Sequence, residues 1–261
     1  MKRRIGVAIA AVLLGLAALL SGAAVRADNG GVPAESVQAK AVGHGLKLWV
    51  FVHYAKGGKP GPPGGGGSVN CTDTNSQTGF ATPFAFASTS GLTFHVNNTT
   101  IPSGLSQTDV DSALTNPAAA AWNGVSGIPS SYLKVATDGS ETVPAQDGTS
   151  TIGWVRLVPK NVLAATWTWT NATTNRVVEA DIFYNNTQPW AVFSSCPSSP
   201  TSNFDVADIG THEMGHALGL SHYSDSEAQA TLYPSAPRDE VRKTTLTAGD
   251  AQAFRVAFAG G

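Results

Sequence analysis

Between Leu46 and Tyr54 the chain alternates in two registers, with Leu46, Leu48, Val50, Val52 and Tyr54 on one side and Lys47, Trp49, Phe51 and His53 on the other. A period of two places successive side chains on opposite faces of a strand, so a strand is expected here. It runs into Gly57-Gly58-Lys59-Pro60-Gly61-Pro62-Pro63 and then four glycines, Gly64 to Gly67. That run suits neither a helix nor a central strand and reads as a linker or exposed loop. Residues 28–79 are therefore read as a pro-segment or N-terminal extension with a linker at 57–67. The alternative is an N-terminal strand of the main domain followed by a long surface loop.

From residue 80 the pattern is more regular. Leu92–Asn97, Tyr132–Ala136, Thr151–Val158, Ala164–Thr170 and Val177–Asn185 read as strands. Ser106–Trp122 reads as a helix, with Ser106 as N-cap, Asp109 three residues later, and Val110, Ala113, Leu114, Ala118 and Ala121 on one face. Pro117 interrupts it, so a kink or two shorter helices is expected. A Pro- and Ser-rich loop spans Trp190–Phe204, and a helix starts near Asp205, where Asp205 and Asp208 read as capping residues. Thr247–Phe258 is a second amphipathic helix, with Thr247 and Asp250 spaced as a capping box. Strands and helices are mixed, which predicts an α+β or α/β sheet layered against helices.

Composition narrows the function classes. At 261 residues the chain suits one good-sized domain plus processing segments. A net charge of -2 offers no basic stripe, so no nucleic-acid partner is expected. Lys2, Arg3 and Arg4 precede an uncharged apolar stretch, Ile5–Leu20, and Val25-Arg26-Ala27 fits a small-x-small cleavage site. Residues 1–27 are read as a signal peptide, which makes the protein secreted and extracellular without stable membrane association after cleavage. An uncleaved membrane anchor is the alternative. Cys71 and Cys196 are the two cysteines. In an oxidising compartment they are expected to form a disulfide; the alternatives are Cys71 plugging a metal in a latent form, and two free buried thiols.

The chemistry is concentrated in Thr211-His212-Glu213-Met214-Gly215-His216-Ala217-Leu218-Gly219-Leu220-Ser221-His222. Residues four apart lie one helical turn above each other, so His212 and His216 can share a metal ion. Glu213 lies beside the pair and can reach a water on that metal without being a ligand. Gly219 lets the helix end and the chain reverse, which returns His222 to the ion. Three neutral imidazoles with one open position describe a catalytic rather than a structural zinc site. Such a pattern arises by chance on the order of once in 10⁵ chains of this length, for independent residues at average frequencies.

His-Glu-x-x-His-x-x-Gly-x-x-His is the metzincin signature, and over residues 80–261 the chain resembles the matrixin branch of these zinc metallopeptidases. Leu92-Thr93-Phe94-His95-Val96-Asn97 followed by a helix ending at Trp122, Glu179-Ala180-Asp181-Ile182 with Trp190, Ser224-Asp225, Leu232-Tyr233-Pro234, and Leu246–Phe258 carry the rest of the resemblance. It implies an α+β, zincin-like fold: a twisted, mostly parallel five-stranded sheet with one antiparallel edge strand, packed on the active-site helix, plus a C-terminal helix. It implies a monomeric secreted zinc endopeptidase acting on protein or peptide substrates. His212, His216 and His222 would hold one Zn²⁺, and Glu213 would be the catalytic base for a water on the metal. It further implies that an edge strand at Leu163–Trp169 pairs antiparallel with an extended substrate, with Tyr233–Pro237 as a wall of the specificity pocket. Trp167 and Trp169 would face the substrate or simply pack. Calcium is also implied, although no compact run of oxygen donors names a loop for it.

The sequence departs from the family pattern in several places. Leu232 stands where metzincins carry a methionine beneath the zinc, and Tyr223 follows the third histidine. A leucine can fill the same apolar volume. No Pro-Arg-Cys-Gly-type latency motif surrounds Cys71, and His44, His53 and His95 do not suggest a structural zinc cluster. Two other readings remain: a thermolysin-like site with Glu227 or Glu240 as third ligand, and a zinc-binding module that is catalytically weak or does not cleave.

Overall fold

The computed structural model of the protein describes residues 32–33, 37–56, 71, 78–79, 82–223 and 227–260; the expected signal peptide, the Gly/Pro-rich run at 57–67 and Ser224-Asp225 lie outside the described residues. The strands are β1 (Val32–Pro33), β2 (Val37–Gly43), β3 (Leu46–Ala55), β4 (Leu92–Val96), β5 (Leu133–Ala136), β6 (Ser150–Val155), β7 (Leu157–Val158), β8 (Val162–Asn171), β9 (Val177–Asn185), β10 (Trp190–Ala191), β11 (Phe204–Asp205) and β12 (Ser235–Ala236). The helices are α1 (Gln107–Ala113), α2 (Ala120–Asn123), α3 (Val206–Ala217) and α4 (Ala248–Ala259).

The body of the sheet has the order β8-β9-β6-β4-β5. Neighbours within β9-β6-β4-β5 are parallel, and β8 is antiparallel to β9. This is the expected five-stranded arrangement with one antiparallel strand. The parallel strands are covered and apolar, as such strands must be: Phe94, Val96, Ile152 and Ile182 enter one core with Leu114, Trp122, Ile209 and Phe254.

Beyond β8 the sheet continues. β3 pairs antiparallel with β8 from Leu46 opposite Asn171 to Tyr54 opposite Val162. On its other side β2 pairs antiparallel along Val37–Gly43 and β12 pairs parallel at Tyr54 and Ala55. The strand expected at the edge of the sheet is thus interior, and its outer row of hydrogen bonds is taken by β3. The alternation around Leu48 explains why β3 fits. Leu48, Val50 and Val52 enter a second apolar cluster with Trp167, Trp169 and Phe183, while Trp49 and Phe51 stack on Phe84. Trp167 and Trp169 are 4% and 5% exposed in that cluster; they pack, and the substrate-facing alternative is corrected. Their neighbours Thr166 and Thr168 face α3 instead, because side chains alternate along a strand.

The interrupted helix also resolves physically. Ser106 caps α1 by accepting the Asp109 N–H. Helical geometry then breaks at Asn116 (φ -149°, ψ 112°), immediately before Pro117, and resumes through α2. Two shorter pieces result, as a proline inside a helix demands. Trp122 at their end donates its indole N–H to the Thr211 carbonyl at 2.8 Å, which ties this segment to α3. α4 carries the complete Thr247/Asp250 capping box. Cys71 and Cys196 are joined in a disulfide with a Cα–Cα distance of 5.6 Å, so Cys71 is no metal plug.

Candidate metal centre and active site

α3 is buried along its whole length between the sheet and the α1–α2 segment. Asp205 caps it, accepting N–H bonds from Asp208 at 2.9 Å and from Phe193 at 2.9 Å. Asp208 accepts the Lys243 backbone N–H. Both are structural carboxylates; Asp205 is the cap its spacing suggested, whereas Asp208, also read as a capping residue, holds the backbone at Lys243 instead. The helix ends at Ala217, and Gly219 takes φ +90°. A side chain there would be strained by that dihedral, and its Cβ would lie 2.5 Å from the Ala85 carbonyl oxygen. The Gly219 carbonyl in turn accepts N–H bonds from Phe84 and Ala85. The chain reverses on this anchor and returns as Tyr223, whose N–H bonds the Leu232 carbonyl at 3.1 Å.

The reversal brings three rings together. His212 Nε2 lies 3.1 Å from His216 Nε2 and 3.3 Å from His222 Nε2. Ring nitrogens about 2.0–2.1 Å from a shared tetrahedral zinc ion would lie about 3.3–3.4 Å apart, so the spacing suits such an ion. The opposite nitrogens are held by backbone: His212 Nδ1 by the Thr231 carbonyl and His216 Nδ1 by the Leu220 carbonyl, each at 2.7 Å. A carbonyl on Nδ1 keeps the proton there and leaves Nε2 a free lone pair. Burial holds all three rings below the usual histidine range, His216 at about 3. A set of neutral, convergent nitrogen donors is what a divalent transition metal requires.

Glu213 points beside this cluster and is fully buried. Thr166 donates its hydroxyl to Oε2 at 2.5 Å, while Oε1 accepts no hydrogen bond and lies 3.5 Å from His53 Nδ1. Burial pushes the carboxyl up to about 8 against the opposing pull of Thr166 and Lys243. The sequence reading missed Thr166, Phe51, His53 and Lys243, all of which touch the site or its neighbours. Phe51 stacks on His216 at 4.3 Å and His53 on His212 at 3.8 Å. Lys243, fully buried, reaches His53 Nε2 at 2.9 Å and the carbonyls of Tyr233 and Ser235 at 2.8 and 3.2 Å. Only the strand alternation hinted at any of this, by grouping Phe51 with His53; the register against β8 is a tertiary fact.

Leu232 is buried, and its Cδ2 would lie 2.5 Å from a Cβ placed on Gly215. It fills apolar volume against the helix that carries His212 and His216, and Gly215 is the glycine that admits it. The thermolysin-like alternative has no support in the geometry. Glu240 forms an ion pair with Arg242 at 2.6 Å, and the Glu227 carboxylate lies against Gly79. Among the described residues the groups able to hold a metal are His212, His216 and His222, and the overlapping set His53, His212 and Glu213. His95 is instead paired with Asp138 at 2.6 Å.

Comparison with known proteins agrees with this geometry. Part of the chain is 40% identical over 67 residues to Metalloendoproteinase 1 of Glycine max, covering 25% of this chain and 21% of that protein. Another match, Metalloendoproteinase 1-MMP of Arabidopsis thaliana, is 36% identical over 63 residues, covering 24% of this chain and 16% of that protein. The aligned stretches span about a fifth of the length of these relatives. The matrixin family model matches residues 85–259, about two thirds of the chain, from the segment ahead of β4 to the end of α4. The chain belongs to the matrixin family of metallopeptidases.

Proposed function

We propose that the protein is a secreted zinc-dependent endopeptidase, with His212, His216 and His222 holding the ion and Glu213 acting as general base. The observation that carries this reading is the convergence of three neutral Nε2 atoms beside a carboxylate oxygen, Glu213 Oε1, that accepts no hydrogen bond. A zinc ion bound there supplies a Lewis acid that polarises a peptide carbonyl and acidifies water. The chain's own groups do the rest. Thr166 holds Glu213 by Oε2 and leaves Oε1 to take a proton from the attacking water. The same oxygen then delivers that proton to the departing amine nitrogen, so the carboxylate is regenerated. The Thr231 and Leu220 carbonyls keep the His212 and His216 rings in one tautomer throughout.

On this reading residues 1–27 direct export, residues 28–79 form a pro-segment, and residues 80–261 form the catalytic domain of a monomer. The names of the two plant relatives support endopeptidase activity. The test is zinc content and peptide hydrolysis by chain cut within residues 57–67. About one zinc per chain, loss of that zinc in His222→Ala, and hydrolysis abolished by a chelator and restored by zinc are expected. Zinc-loaded, folded protein that cleaves no peptide in a broad library would instead identify a non-cleaving binding module.

A further inference from the structure

β3 lies directly over the site described above. Its first half is flanked by β8 and β2, and its end by β8 and β12. Its hydrogen bonds continue past the strand: the Tyr54 N–H reaches the Pro234 carbonyl at 3.0 Å and the Lys56 N–H the Ala236 carbonyl at 2.8 Å. In the interval between the two flanking strands, Phe51 rests on His216 and His53 rests on His212 beside Glu213. β3 is therefore an extended peptide laid antiparallel to β8 and parallel to β12, crossing the centre where a bond would be cut. His212, Glu213 and His216 are all 0% exposed beneath it, as is His53 on β3 itself.

The contacts of Lys243 give this arrangement chemical content. A lysine ammonium has three N–H donors. Two go to the carbonyls of Tyr233 and Ser235, which belong to the chain's own wall of the cleft. The third goes to His53 Nε2. An ammonium has no acceptor, so the ring nitrogen is the accepting partner in this contact. Displacing β3 leaves one buried donor aimed into the space that the His53 ring fills. A buried donor left unpaired is destabilising, so the site favours an occupant that pairs it. Nothing in the family match assigns a role to either residue.

We propose that β3 holds the place and chain direction of a peptide substrate, and that Lys243 is a specificity residue selecting Glu, Gln or His at the position occupied by His53. This deepens the peptidase reading and rests on it. The hairpin β2–β3 then occludes the site until it is displaced, and a cut at 57–67 severs that hairpin from the catalytic domain, on whose side Cys71 and its disulfide to Cys196 remain.

The experiment uses the full chain carrying a recognition sequence for a site-specific protease within residues 57–67, cut after folding. Cutting is expected to raise turnover of a mixed peptide library at least tenfold. The products should be enriched in Glu, Gln or His within two residues of the cut bond. In cut Lys243→Met, whose zinc content and unfolding midpoint report folding, that enrichment should fall at least fivefold in favour of apolar residues. An intact chain as fast as the cut one, or an unchanged product profile in the variant, overturns the proposal. A second readout does not depend on turnover or on that variant: polarisation of fluorescent copies of residues 46–55 on cut Glu213→Gln protein separated from its hairpin. The His53 copy should bind at least tenfold tighter than its His53→Leu counterpart, and equal binding overturns the proposal even where hydrolysis is seen. Tighter binding of the His53 copy with no hydrolysis by the cut wild-type chain supports the recognition and rejects the peptidase instead.

Discussion

Two groups of buried carboxylates sit on the sheet and its helix, and they are treated oppositely. At one end of β9, Asp181 accepts the Thr151 N–H on Oδ1 and the Ala145 N–H on Oδ2, both at 2.9 Å. Its neighbour Glu179 accepts N–H bonds from Asp147 and Gly148 at 3.0 and 2.8 Å. These four oxygens are occupied by backbone, and what they hold is the loop before β6. On α3, Glu213 has one hydroxyl partner on Oε2 and no hydrogen bond on Oε1. Burial raises the pKa of all three, so a raised pKa alone does not separate structure from chemistry. The partner set does. A carboxylate whose oxygens all accept backbone N–H bonds serves the fold, whereas one with a free oxygen beside three metal-type donors can move a proton.

The largest expected effect tests this contrast directly. In the cut chain, Glu213→Gln should lower kcat/KM for peptides about 10²–10⁴-fold, the usual worth of a general base. It should leave zinc content intact and leave stability unchanged or higher, since a buried charge is expensive. Glu179→Gln should leave kcat/KM per folded molecule within twofold. A Glu179 variant that loses activity while folded and zinc-loaded would break the division between the two groups.

Next in size is the structural side. Asp181→Ala leaves the Ala145 and Thr151 N–H groups without their acceptor. At roughly 1–3 kcal/mol for each buried group left unpaired, a loss of about 2–6 kcal/mol is expected by denaturant unfolding, with activity of the folded fraction retained. An unaltered midpoint would mean that the loop before β6 is held by something other than this carboxylate.

The contrast also shows what was legible in the sequence. The histidine triad was legible because its geometry is local: a helical turn and a glycine reversal fix His212, His216 and His222 within eleven residues. The individual strands of the body and the kink at Pro117 were legible from alternation and from proline chemistry, while the five-stranded arrangement came from the family resemblance. What was not legible depends on register between distant segments. Leu46–Tyr54 could be recognised as a strand, but nothing in its pattern says that it pairs with β8 or that His53 meets Lys243, 190 positions away. The same limit hid the backbone partners of Asp181, one from a loop with no periodic signal and one from the start of β6. It also left the Trp167 and Trp169 faces undecided until β3 was in place to cover them.

The smallest effect extends the comparison from buried acceptors to a buried donor. Tyr132, against α4, donates its phenol to the Ser88 carbonyl and stacks edge-on to Phe258. A carbonyl acceptor demands the protonated phenol, and burial pushes its pKa up to about 12. A raised pKa in the folded state means that the fold favours the proton-bound form. The stabilisation is fully present below the unfolded value of about 10 and is lost as pH rises towards 12. Tyr132→Phe should therefore cost about 0.5–1.5 kcal/mol at pH 7, the worth of one hydrogen bond. The difference from wild type should shrink steadily above about pH 10, because the wild type loses there what the variant never had. Equilibrium unfolding at several pH values between 8 and 12 measures both numbers in one series. A gap that widens with pH would mean that the phenolate is the favoured form here, the opposite of what burial does to the acids at Glu213 and Asp181.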